Sequence, residues 1–360
     1  PWPITNIRGD VRADESGFQF HGVKASFGNA HDVNIKSGRV KLGHMGLPIE
    51  LEFVADIPEI DTNEWFDGWG QRPWAERPFT GVHASRWVLP PGGLMMTTVR
   101  ADLTMASTRF LSVRGNDARV QFEYDVWRGR HNELRVQVPS ARVYGGRVYD
   151  LAATLLFPKG RNAPEIDAIG YAENVQMQDF LTDLRKRPDP FVGLFTGHAT
   201  LKGVLTDKAT WTGDGVYTVT NSHFLGEQAL VALSTTMNLG RDASAAPTTW
   251  NGTASWKDRK VSFPDMEIAN SSIRVRAKGD IDFKGALDFM VTVQLLGNRL
   301  EGMWLIGRMA PLVNNLTDFL VSMRLRGTLW EPSVMTVPLN LDQAIFFRDM
   351  IPRPRETPPP

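Results

Sequence analysis

The 360-residue sequence contains no cysteine, which excludes disulfide bonds, thiolate metal ligands and cysteine nucleophiles. Its 40 basic residues are balanced by 40 acidic ones, so no net charge favours nucleic acid as a partner. No apolar run reaches the roughly 18 residues that a membrane-spanning helix requires. The nearest run, 303–313, is interrupted by Arg308 and Pro311. We therefore expect a protein that neither binds nucleic acid nor crosses a bilayer within this sequence.

Sequence motifs of enzymes and metal sites are also missing. The seven histidines are scattered, with no H-E-x-x-H, H-x-x-x-H or H-x-H pairing, which predicts no metal site. Neither a G-x-S-x-G elbow nor a phosphate-binding P-loop occurs. Asp280 and Asp282 form an Asp-x-Asp pair, but they lie on the polar side of a predicted strand, where solvated charges are expected. We predict no catalytic residue, no cofactor and no enzymatic activity.

What the sequence does contain is strict alternation of apolar and polar residues, clearest between Val261 and Leu296. Apolar residues occupy the odd positions from Ile273 to Phe283 and again from Leu287 to Leu295, while charged residues occupy the even positions of the first segment. This period predicts β-strands with one apolar and one polar face. The first strand is expected to be eleven residues long, about twice the usual length. Its apolar face must be covered by something.

The same pattern recurs through the chain and defines the predicted fold. Leu134, Val136 and Val138 share one face of a strand whose hairpin partner is 120–126. A change of parity at Gly22 predicts a β-bulge. We predict a mainly β protein, built on a long antiparallel meander that is curved or twisted into a groove. Two or three short helices are expected to cover it, near 175–186 and 299–319.

Composition suggests three parts. Residues 1–164 form a β-rich part with a tryptophan-rich insertion at 61–93, residues 165–345 form a second β region, and 346–360 is a proline-rich tail. The polar stretch 158–165 is the predicted boundary. The four tryptophans of the insertion fit either packing onto the sheet or binding of sugar or a membrane interface.

The second part resembles the C-terminal region of AsmA-like proteins, bacterial envelope proteins related to TamB. The resemblance covers roughly 165–340 and consists of a short opening helix followed by glycine-containing strand motifs, in the family's order. These motifs are 172–184, the strand 195–203, the strand and turn 213–224, the pair 273–293 and the closing Gly-Thr-Leu-x-x-Pro of 323–332. Ser222 stands where the family commonly has glycine.

The resemblance implies a periplasmic protein, tethered to the inner membrane by a segment upstream of Pro1, that supports outer-membrane homeostasis. Larger relatives are thought to carry lipids along an apolar β-groove. The implied partners are phospholipid or another lipid, the upstream anchor and outer-membrane proteins. No catalytic residues are carried over, because the family has no catalytic motif.

Twelve apolar residues are the predicted lining of such a groove: Leu134, Val136, Val138, Ile273, Val275, Ile281, Phe283, Leu287, Phe289, Val291, Val293 and Leu295. The same residues would form an ordinary core if helices cover the face. Two other functions fit the sequence. One is a scaffold for outer-membrane protein assembly, and the other is a glycan-binding module that uses the tryptophan-rich insertion.

Overall fold

The structure is a computed structural model. It describes residues 4–27, 30–43, 49–61, 97–110, 113–126, 132–157, 164–186, 188–189, 191–205, 207–223, 247–271, 273–295, 319–328 and 331–337. Predictions that concern the insertion at 61–93, beyond Asp61, and the tail at 346–360 lie outside these residues.

The described residues form seventeen strands and one helix, α1 (Met177–Arg185). The strands are β1 (Ile4–Asp14), β2 (Gly17–Phe27), β3 (Ala30–Lys41), β4 (Ile49–Asp61), β5 (Thr97–Phe110), β6 (Val113–Val126), β7 (Asn132–Val143), β8 (Gly146–Phe157), β9 (Glu165–Gln176), β10 (Leu194–Val204), β11 (Asp207–His223), β12 (Pro247–Lys257), β13 (Lys260–Ala269), β14 (Ile273–Asp282), β15 (Ala286–Leu295), β16 (Phe319–Thr328) and β17 (Pro332–Thr336).

All seventeen strands belong to one sheet, in which each strand pairs with the next one along the chain. Within the described residues no pairing joins β1 to β17, so the sheet is open and these two strands are its edges. The predicted mainly β meander is confirmed. Because β8 and β9 pair across residues 158–164, the two predicted parts share one continuous sheet.

One pair departs from the antiparallel pattern. Strands β4 and β5 are parallel, with Ile49 opposite Thr97 and Ile57 opposite Met105. A parallel pair needs a connection that returns to the starting end of the strand, and residues 62–96 are that connection. Alternation has the same period in both kinds of pair, so it does not reveal strand direction.

The helix predicted at 175–186 is confirmed as α1, at 177–185. The helix predicted at 299–319 lies outside the described residues except for its last residue, Phe319, which begins β16.

Antiparallel order gives the sheet two unlike rims. The strands that flank the intervals 177–193, 224–246 and 296–318 end and begin at the rim where β1 begins, which we call the long-connection rim. At the opposite rim, the short-turn rim, no connection between consecutive antiparallel strands exceeds seven residues.

Bulges cluster towards the long-connection rim. Six Asn or Asp residues within strands have positive φ: Asn6, Asp32, Asp117, Asp150, Asn174 and Asn221. Each lies at a register shift, where one strand has an extra residue. The predicted bulge at Gly22 is confirmed by φ +58 and a register shift between β1 and β2. Such bulges increase local twist and bend the strand.

Two buried clusters stabilise the sheet. One is centred on β13–β16 and contains Ile268, Ile273, Val291 and Met323 among others. The other spans β3–β8, with small alanines beside larger residues such as Ile57 and Leu103. Both clusters lie on the same face of the sheet, as the pairing register below shows.

Met323 is 0 % exposed, so Met323→Ala should leave a cavity and destabilise the protein by about 2–5 kcal/mol. The matched control is Met335→Ala on β17, because Met335 is 49 % exposed and should change stability by no more than about 0.5 kcal/mol. Urea unfolding followed by circular dichroism measures both. Equal losses in the two variants would contradict a core at β16.

Candidate functional site

The candidate site is a continuous apolar face that crosses the sheet. Residues that lie directly opposite each other in neighbouring strands point to the same face. Following these pairs from β1 to β9 gives one row: Ala13, Phe18, Val40, Leu51, Val99, Tyr124, Leu134, Leu155 and Ile166. All nine are apolar or aromatic, and the row runs near the short-turn rim.

A second row of paired residues crosses the other half of the sheet. From β9 to β15 it consists of Val175, Phe195, Val219, Trp250, Ile268, Val275 and Val293. This row runs near the long-connection rim. The two rows share β9, so the apolar face is continuous across the sheet.

The two rows differ in exposure. In the first row the residues from Val40 to Ile166 are half-buried and Phe18 is exposed, so we call it the open row. In the second row Phe195 and Trp250 are half-buried. The other residues of that row are 1–5 % exposed, so we call it the buried row: Val175, Val219, Ile268, Val275 and Val293. Neighbours within a single layer cover a side chain only in part. The face is therefore covered along the buried row and accessible along the open row.

Beyond β9 the accessible part continues along the short-turn rim. Leu201, Trp256, Val261 and Ile281 are half-buried on β10, β12, β13 and β14. It closes at β15, where Leu287 is buried. We call the whole half-buried stretch, from β1 to β14, the open strip.

Aromatic rings keep the face apolar where a strand has glycine. A Cβ on Gly213 would lie 2.6 Å from the indole nitrogen of Trp256, and one on Gly279 would lie 2.7 Å from the ring of Phe289. In each case the ring from the neighbouring strand occupies the space above the glycine. Any side chain at these glycines would displace a ring from the apolar face.

Six of the predicted lining residues belong to the buried cluster of β13–β16. They are Ile273, Val275, Leu287, Phe289, Val291 and Val293, and all are 1–6 % exposed. The register places them on one face, as alternation predicts. At these positions the packed core is the arrangement present.

Two further predicted lining residues, Phe283 and Leu295, are not among these six. The predicted eleven-residue strand is ten residues long, because the Asp282 carboxylate accepts the backbone N–H of Lys284 and of Ala286 and so forms a turn. Phe283 lies in that turn, exposed, with its ring centroid 6.3 Å from that of Trp211 on β11. The backbone of Leu295 pairs with Phe319, and its side chain lies outside the described residues.

The remaining predicted residues line the open strip. Leu134, Val136 and Val138 on β7 and Ile281 on β14 are half-buried. Rings on β6 and β8 border Leu134: Tyr124 and Phe157 meet edge to face, with centroids 6.3 Å apart. Burial raises the pKa of Tyr124, so its hydroxyl stays neutral in this apolar setting.

Several open-row residues were not predicted, including Phe18, Leu51, Leu155 and Ile166. The sequence does contain a signal for them. At a bulge the apolar residues step by three positions instead of two, as from Val148 to Leu151 around Asp150. Reading that step as a break in the pattern hides the continuity of the face.

The opposite face is polar and carries paired charges. Arg100 on β5 contacts Glu52 on β4 at 3.4 Å and Glu123 on β6 at 3.1 Å. Arg135 on β7 then lies 3.7 Å from Glu123. The hydrogen bond from Arg119 lowers the pKa of Asp102 despite the opposing effect of desolvation. This face is charged but balanced, and it gives no single-sign field.

Helix α1 is fixed at the long-connection rim by one polar contact. The Asp183 carboxylate accepts two hydrogen bonds from Arg114, at 2.7 and 3.1 Å, and one from the Tyr144 hydroxyl at 2.8 Å. The Tyr144 ring also meets Phe180 edge to face. Burial opposes ionisation of Asp183, but the hydrogen bonds outweigh it and hold the pKa of this carboxyl below its ordinary value.

No cluster of three His, Asp or Glu side chains suited to a metal ion occurs in the described part of the chain. In the same residues no helix has the length and hydropathy to span a membrane. Comparison with protein-family models, curated proteins and solved structures finds no match for this chain.

Asp183→Ala should release α1 from the rim. We expect amide exchange across 177–185 to accelerate about five- to thirtyfold, because roughly 1–2 kcal/mol of partly exposed hydrogen bonding is lost. Gln178→Ala, exposed on the same helix, is the control and should leave exchange nearly unchanged. Because the pKa of Asp183 is lowered in the folded protein, its contribution is full above pH 3.8 and is lost as pH falls through the folded pKa. The difference between variant and parent should therefore vanish in acid, and a difference that persisted there would contradict the role of this carboxylate.

Proposed function

We propose that this chain is a non-enzymatic bacterial envelope protein that binds the acyl chains of phospholipid on its open strip and conducts them between the inner and outer membranes. The observation that carries the proposal is an apolar face that stays unbroken from strand to strand and remains half-exposed along one rim. A folded protein that needed this face only for stability would cover it along both rims.

The energetics favour a continuous strip over a single pocket. Exposing acyl chains to water costs about 0.8 kcal/mol per CH₂, or on the order of 25 kcal/mol for two sixteen-carbon chains. A path across water must therefore offer apolar contact at every step. Thirteen inter-strand steps from β1 to β14, at about 4.8 Å each, give a strip about 62 Å long. That is roughly twice the thickness of a bilayer's hydrocarbon core.

The polar face supports the same proposal. Many of its charges are paired across neighbouring strands, so it is suited to water and not to lipid. Lipid would therefore contact one side of the sheet only, with its head group free to project past the short-turn rim.

The resemblance to AsmA-like proteins supports a location in the periplasm, with a tether to the inner membrane upstream of this sequence and a role in outer-membrane homeostasis. The structure adds a feature that the motifs of the resemblance do not contain, which is the separation of the apolar face into an open and a buried row.

Val136→Glu is the direct test, because Val136 points to the open strip. Binding of a phosphatidylethanolamine with palmitoyl and oleoyl chains, measured by native mass spectrometry, should fall at least tenfold when a charge enters the apolar strip. The matched control is Gln137→Glu, which places the same new charge one residue away on the polar face and should leave binding unchanged.

A second measurement tests the same proposal without the glutamate variant, whose loss of binding would be ambiguous if it misfolded. A photoreactive phenylalanine analogue at Leu134 should cross-link to the same lipid in vesicles, whereas the analogue at Gln137 should not. Equal cross-linking at both positions, or equal binding by both glutamate variants, would overturn the proposal.

A second candidate function is a scaffold for outer-membrane protein assembly. The observation that favours it is the outer edge of β1, beside which no described strand lies, since open edges recruit further strands. It predicts protein capture at β1 with no bound lipid, so Val136→Glu would then have no effect beyond stability.

A further inference from the structure

The edge strand β1 differs from the other edge strand, β17, in its length and in its uncovered apolar face. It is eleven residues long, whereas β17 is five residues and begins with Pro332, which has no N–H to donate. Its apolar face is uncovered, with Ile7 61 % and Val11 53 % exposed. Short, proline-bearing edges resist further pairing and long apolar ones invite it. The sheet is therefore poised to grow at β1.

The charges of β1 have no partner on the neighbouring strand. Arg8, Asp10 and Arg12 project to the polar face, and within the described residues none has an ion pair. On their inner side Arg8 faces Lys24 and Arg12 faces Gln19, so β2 offers neither arginine an acid. An acid that pairs with these arginines across strands must therefore belong to a strand added on the outer side of β1.

The order of charges on β1 is complementary to the same order read in the antiparallel direction. Reading Arg8, Asp10, Arg12 and Asp14 forwards gives plus, minus, plus, minus, and an antiparallel copy reads minus, plus, minus, plus. Aligned with Val11 opposite Val11, every arginine faces an aspartate: Arg8 faces Asp14 and Asp10 faces Arg12, each twice.

The apolar side fits the same alignment. Val11 meets its own copy, and Gly9 lies opposite Ala13, so no large side chains collide beside the central pair. Asp14 also remains available, because both Ser16 hydrogen bonds go to Oδ1 and leave Oδ2 for an incoming guanidinium.

We propose that two copies of this chain join at β1 as an antiparallel pair centred on Val11, so that one sheet continues through both copies. A two-fold axis perpendicular to the sheet keeps the two apolar faces on the same side and exchanges the rims. The proposal rests on the register and charges of β1 and holds whether or not the face carries lipid.

The absence of cysteine makes a single introduced thiol a clean reporter. In Val11→Cys, the opposed Cα atoms would lie about 4.5–5.5 Å apart, within the range for a disulfide. Mild oxidation of the whole chain should give a covalent dimer. Ile7→Cys is the matched control, because Ile7 is similarly exposed on the same strand. In the proposed alignment the two Ile7 positions lie eight residues apart along the strands, roughly 27 Å. Its dimer yield should be at least tenfold lower.

Charge reversal tests the alignment without a cross-link. Asp10→Arg or Arg12→Asp alone places like charges opposite each other twice and should weaken the dimer at least tenfold in sedimentation velocity. The double variant restores both pairs in reversed order and should recover the parent dimer. A monomeric parent, equal cross-linking of the two cysteine variants, or a double variant no better than the single ones would overturn the proposal. Each of these outcomes would point instead to another strand on β1.

Discussion

Keeping the buried apolar side chains on one side of a single sheet is the constraint on which the rest of the structure depends. A slip of one residue would turn a whole strand's apolar set towards water. The chain nevertheless has many bulges, and each one adds a residue. The sequence compensates by stepping three positions between apolar residues at these points, as from Phe20 to Val23 and from Phe263 to Met266. The bulges are thus accommodated without loss of the face.

The polar face fixes the same register from the other side. Exposed ion pairs such as Arg100 with Glu123 stabilise a protein by little, because water and salt screen them. Their value lies in what they exclude: a shifted strand would oppose like charges while also exposing apolar residues. Opposite charges on consecutive strands, as in Glu52, Arg100, Glu123 and Arg135, therefore specify pairing more than they strengthen it.

Sequence periodicity predicted the strands, α1 and the shared face, because these depend on local spacing alone. It did not predict burial. Leu134 and Ile273 stand in equally regular alternation, yet one is half-buried and the other nearly inaccessible. Exposure depends on what lies above the face, which is distant in sequence. Periodicity also did not predict where β14 ends. Phe283 continues the apolar alternation, but the hydrogen bonds that the Asp282 carboxylate accepts have already formed a turn there.

Under the proposed function, this difference in burial decides where lipid would bind on the face. The longest predicted run of apolar residues, on β14 and β15, belongs to the buried cluster and is therefore the part least suited to an exchangeable ligand. The open strip consists of less regular strands, interrupted by bulges. It closes at β15, so acyl chains on it would enter and leave between β1 and β14, along the short-turn rim.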